Sequence, residues 1–170
     1  EHPDFSFNNA RGVLGFTGFE GILGYKTNLL DSKDYEEERA AAKSIIDKLR
    51  EKGWEFACHS YHHNNMAEKS YDYVVYDTER WLKEVGSIIG DTSVYLYPYG
   101  ADPGYKSDKY KYLAEAGFKY ICSVGHHIQT YAVNGAISQG RRHVDGITLR
   151  RKTDLETLFR ADDVIDSRRP

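Results

Sequence analysis

Short apolar runs and amphipathic helices alternate along this chain, and glycine closes the first three helices. Residues 12–17 (Gly-Val-Leu-Gly-Phe-Thr) read as a buried strand that opens into glycines at 15, 18, 21 and 24. Ala41, Ala42, Ile45, Ile46 and Leu49 then form one apolar stripe at helical spacing. Ser32 or Asp34 can cap that helix, Glu36, Glu37 and Glu38 suit the positive end of its dipole, and Gly53 stops it. Residues 54–58 are the next strand. Val74, Thr78, Trp81, Leu82, Val85, Ile88 and Ile89 predict a helix from Ser70 to Gly90. Residues 93–97 read as a strand broken by Pro98 and Gly100, 107–116 as a helix ended by Gly117, and 119–124 as a strand. Further on, 129–133 and 146–149 read as strands, and 154–159 as a short helix.

This alternation argues for an α/β fold, with parallel strands joined by right-handed helical crossovers. The length of 170 residues suits a single domain spanning 1–170, and 40% hydrophobic with 29% charged residues is a globular composition. A net charge of -3, with basic residues bunched only at 141–142 and 150–152, excludes a nucleic-acid binder. No apolar run nears the ~18 residues of a membrane span. The glycine series lacks the dinucleotide fingerprint, and no Gly-Lys-Ser/Thr follows it. Tyrosine occurs 14 times, a residue that fills strands and half-buried helix faces and also suits carbohydrate grooves. Cys58 and Cys122 each lie in an apolar run, which favours free buried thiols over a disulfide.

In such folds the loops after the strands meet at one face. Here these are 17–24, 59–66, 98–104 and 125–128, carrying Glu20, His59, His62, His63, Asp102, His126 and His127. His59 and His63 stand four apart, a spacing that lets two imidazoles reach one ion. Metalloproteases of the His-Glu-x-x-His type need Glu after the first His, and Ser60 stands there instead. The residue types alone leave a metal site and a polar loop both open.

The flanks add a resemblance. Gly53-Trp54-Glu55-Phe56-Ala57-Cys58-His59-Ser60-Tyr61-His62-His63 resembles the second motif of the NodB-like polysaccharide deacetylases, carbohydrate esterase family 4, which reads His-Ser/Thr-x-x-His at a strand end. Tyr97-Pro98-Tyr99-Gly100 resembles the end of their third motif, although Leu96 stands where that motif usually has arginine. The resemblance runs from about Gly12 to Asp145. It implies parallel βα units forming part of a distorted (β/α) barrel. It also implies metal-dependent hydrolysis of acetyl groups on a cell-envelope or extracellular polysaccharide, and an extracytoplasmic location. In that frame His59 and His63 bind a divalent metal, zinc, while His62 falls at an unconstrained position. Ser60 braces the loop, and the Tyr99 amide donates to the oxyanion. Tyr61, Tyr97, Tyr105 and Glu20 lie at the substrate. Asp102, His126 and His127 are candidates for further ligands, with a turn the alternative for Asp102 and a polar loop for the two histidines.

The family's first motif, a pair of aspartates supplying the general base and a third ligand, does not precede Gly12; only Glu1 and Asp4 do, in another context. Asp162-Asp163 lies near the far end, and His143 does not match the family's closing Leu-x-His. The start Glu1-His2-Pro3-Asp4-Phe5 reads as a cut through a longer polypeptide. The expectation is therefore the C-terminal portion of a longer deacetylase domain, inactive by itself. The alternative is a catalytically inactive, deacetylase-like carbohydrate-binding or structural module. A third reading, another βα metal hydrolase, needs Asp102 or Glu20 on the ion.

Overall fold

The computed structural model describes residues 10–125, 130–152, 155 and 158–164. Strand β1 (Val13–Phe16) is followed by α1 (Tyr35–Glu51) and β2 (Glu55–Cys58). Helix α2 (Tyr71–Trp81) continues through a π-helical turn (Leu82–Gly86) into a last turn (Ser87–Ile89). Then come β3 (Val94–Leu96), α3 (Asp108–Glu115), β4 (Tyr120–Val124), β5 (Thr130–Val133), β6 (Ala136–Arg141), α4 (Gly146–Arg151) and α5 (Ala161–Val164).

The strands form one six-stranded sheet in the order β1-β2-β3-β4-β6-β5. All neighbours are parallel except β5, which runs antiparallel to β6. The α/β class and its parallel βα units are thus as the alternation predicts. The sheet has edges at β1 and β5, so the described strands form a sheet and not a closed barrel. Because β1, β2, β3, β4 and β6 run in one direction, their C-terminal ends share one rim. The loops after Phe16, Cys58 and Leu96 gather there.

Local sequence explains most boundaries. Ser70 caps α2 by accepting from the Tyr73 amide. Asp34 occupies the N-cap of α1 without a side-chain bond, and the Ser32 hydroxyl accepts from the Asp34 amide in the preceding turn. Arg50, at the end of α1, donates to the carbonyls of Ile89 and Asp91 and lies over the Phe56 ring. It satisfies the last carbonyls of the α2 segment and ties the two helices together. Trp81 is fully buried, and its indole N–H donates to the Phe16 carbonyl at the end of β1 (2.8 Å). Cys58 and Cys122 are free and buried.

One expectation is corrected. Residues 146–149 are not a strand but the start of α4. Asp145 accepts from the Ile147 and Thr148 amides, and Thr148 bonds back to the Asp145 amide. This capping box overrides the Ile147/Leu149 alternation. The antiparallel partner of β5 is 136–141, joined through Asn134 and Gly135, both at positive φ. Half of the helix expected at 154–159, residues 154, 156 and 157, lies outside the described residues.

Candidate active site

The histidine loop leaves β2 on a fixed path. The His59 amide donates to the Phe16 carbonyl (2.9 Å), the same oxygen that Trp81 reaches. Ser60 and His63 both adopt left-handed φ, 58° and 55°, which non-glycine residues hold only when their surroundings enforce it. The Ser60 hydroxyl accepts from the His63 amide (2.9 Å), the brace the resemblance implies.

His59 and His63 come together, with ring centroids 4.9 Å apart and planes at 72°. His59 Nδ1 donates to the Leu96 carbonyl (2.8 Å). Nε2 therefore keeps its lone pair. Burial holds the His59 imidazole below its ordinary value of 6.5; the Leu96 carbonyl pulls the other way, and His63 and Arg141 push it down further. A neutral ring whose other nitrogen is tied to a carbonyl is the form that ligates zinc. The pair thus fits two positions of a metal's shell. Among the described residues no group of three or more His, Cys, Asp or Glu side chains is placed to complete one.

The loop after β3 brings Tyr99 to the pair. Its ring meets His63 edge-on at 4.7 Å and is 72% exposed. Tyr99 sits at φ 57°, ψ 5°, and its N–H has no partner among the described residues. Gly100 permits this turn. A Cβ there would lie 2.5 Å from Val124 Cβ, at φ 67°. The residue expected to donate to the oxyanion therefore stands beside His63, with its amide unpaired among the described residues.

Other predicted residues lie elsewhere. Tyr61 and Tyr97 are each 1% exposed, so neither offers a face to a sugar. This corrects their assignment to substrate. The Tyr61 ring lies under Gly18, where even a Cβ would stand 2.3 Å away, and its hydroxyl donates to Glu84. Tyr97 packs edge-on against Tyr95. Tyr105 stacks on Tyr131 (4.3 Å, 17°). Glu20 is exposed, with no bonded partner among the described residues. Asp102 accepts from the Gly104 amide (2.6 Å), the turn role of an Asp before Pro-Gly. His126 and His127 lie outside the described residues.

Two further residues take part: His62, one of the candidates on the loop, and Arg141. His62 is not unconstrained: its Nδ1 and its backbone N–H both bond Asp77 Oδ1 (2.8 and 3.0 Å). Arg141, half-buried at the end of β6, donates to the carbonyls of Ser123 and Tyr97 and so crosses β4 toward β3. Burial lowers its pKa. The Asn134-Gly135 turn signal would have placed β6, and with it Arg141, on the active rim.

No curated protein matches this sequence. A solved structure from Mycobacterium smegmatis, described as a polysaccharide deacetylase only provisionally, is similar at 20% identity with a TM-score of 0.48. The match covers 63% of this chain and 37% of that one, so the chain spans well under half the length of that structure. The family model for polysaccharide deacetylases matches residues 27–121, more than half of the 170. The chain belongs to the NodB-like polysaccharide deacetylase family.

Proposed function

We propose that this chain carries the metal-binding and oxyanion-binding part of a deacetylase site acting on acetyl groups of a cell-envelope or extracellular polysaccharide. The observation behind the reading is the meeting of His59, His63 and Tyr99 at one rim, with the Tyr99 amide unpaired among the described residues. Zinc suits a pair of imidazole ligands. A bound divalent cation supplies Lewis acidity at the acetyl carbonyl. His59 and His63 hold it, and the Leu96 carbonyl orients the His59 ring. The Tyr99 N–H donates to the carbonyl oxygen as negative charge builds there, a contribution of about a hundredfold to a thousandfold in comparable sites. The exposed Tyr99 ring offers its face to a sugar. An extracytoplasmic location goes with such a glycan and is supported by the family alone; no helix among the described residues is long and apolar enough to cross a membrane.

Calorimetric titration with zinc tests the reading, comparing wild type with the His59→Ala/His63→Ala variant. Saturable binding that the variant loses is expected. Equal heats from both proteins contradict the assignment.

One observation favours a second reading. The described residues place no third ligand with the pair. A deacetylase-like module that only binds glycan predicts affinity for an acetylated chito-oligosaccharide that zinc and chelator leave unchanged.

A further inference from the structure

Three consecutive backbone N–H groups, those of residues 61, 62 and 63, lie in the histidine loop with no strand or helix to receive them. Buried N–H groups must find acceptors. Ser60 takes the third. The first two go to one side chain. Asp77 Oδ2 accepts from the Tyr61 amide (2.7 Å), and Asp77 Oδ1 accepts from the His62 amide (3.0 Å). The His62 ring adds a further bond to Oδ1 (2.8 Å). Asp77 is 0% exposed. A buried carboxylate is costly unless its oxygens are satisfied, and here the loop satisfies both.

The remaining contacts fasten the same unit. Arg80, one helical turn on, lies 4.1 Å over the Tyr61 ring and pairs with Glu84, which accepts the Tyr61 hydroxyl. The His62 ring stacks on Tyr76. Trp81 anchors α2 to the Phe16 carbonyl that also holds the His59 amide. Helix α2 therefore grips the loop through its middle and last turns, from Tyr76 and Asp77 to Arg80 and Trp81, on either side of the left-handed Ser60.

We propose that Asp77 is the positioning residue of the metal pair: its buried carboxylate, on α2, holds the loop in the strained shape that turns His63 back onto His59. Asp77 does not touch the metal or the substrate. It acts by bonding the two amides between the ligands, and His62 serves as its third donor. The inference rests on the zinc reading above for its consequence, but not for its geometry.

The test uses Asp77→Asn, with Leu113→Ala as a variant weakened elsewhere in the core. Asparagine keeps the shape but faces one amide with an NH2 group. Zinc affinity is expected to fall about 10- to 100-fold in Asp77→Asn. Leu113→Ala, measured where it is folded, should bind zinc like wild type. Hydrogen exchange in metal-free wild type supplies a readout independent of zinc and of variant folding: the Tyr61 and His62 amides should exchange as slowly as core helix amides. Wild-type zinc affinity in Asp77→Asn, equal losses in both variants, or fast exchange at Tyr61 and His62 in wild type would each overturn the proposal. Absence of zinc binding by wild type with slow exchange at those amides would instead count against the metal reading alone.

Discussion

The Nδ1 of His59 lies 2.8 Å from the carbonyl oxygen of Leu96. A carbonyl only accepts, so the ring proton is fixed on Nδ1 and Nε2 is left as a lone-pair donor. The backbone at Leu96 orients the His59 ring, whatever side chain stands there. This contact joins β3 to the loop after β2, and it makes the histidine pair a property of the sheet as well as of its motif.

His59 should titrate below 6.5, because burial disfavours its charged form. Below pH 6.5 the unfolded chain takes up a proton that folded His59 resists. Its contribution to stability is thus fully present above 6.5 and is lost as pH falls from there toward the folded value. NMR titration of the imidazole checks the shift directly. Arg141→Met should move the midpoint upward, since a nearby positive charge is removed; an unchanged midpoint would separate Arg141 from the site.

Gly100→Ala should destabilise the fold by about 2–4 kcal/mol, combining overpacking with a left-handed alanine. The new Cβ would press on Val124, whose own Cβ lies 2.5 Å from that position. Urea unfolding measures this, and a change below about 0.5 kcal/mol, the range of ordinary surface substitutions, would contradict it.

The tyrosines should divide sharply. Tyr97→Ala empties a core position and should cost about 3–5 kcal/mol, as aromatic-to-alanine changes do. Tyr99→Ala removes an exposed ring and should leave the urea midpoint nearly unchanged while weakening affinity for an acetylated chito-oligosaccharide about threefold to tenfold. Parallel stability and binding assays decide both; equal glycan affinity in Tyr99→Ala would remove that ring from the substrate surface.

Trp81→Phe should cost about 1–3 kcal/mol, through a lost hydrogen bond and lost packing. The Phe16 carbonyl keeps the His59 amide as a donor, so the loss should stay in that range and not abolish folding. Thermal unfolding followed by circular dichroism is the check.

Much of this fold was legible because periodicity is local. The stripe ending at Leu49 and the one running from Val74 to Ile89 appear as helices, closed by Gly53 and Gly90 at φ 80° and 78°. The region after Val124 was less legible. There the Asn134-Gly135 turn outweighed weak alternation, and the Asp145–Thr148 capping box turned an expected strand into a helix. At the site, spacing drew attention to His59 and His63 but could not separate exposed Tyr99 from buried Tyr61 and Tyr97. Exposure is decided by packing from distant elements, such as Gly18 over Tyr61. Asp77 was invisible for the same reason. It follows Tyr61 by 16 residues and reads as one more polar position on a helix.

X-ray absorption at the zinc edge tests the central claim most directly. With one equivalent of zinc, the account predicts two imidazole nitrogens at about 2.0–2.1 Å, with the remaining shell made of light atoms. Both nitrogen signals should vanish in His59→Ala/His63→Ala. A sulfur scatterer at about 2.3 Å, pointing to Cys58 or Cys122, or a spectrum that the double variant leaves unchanged, would contradict it.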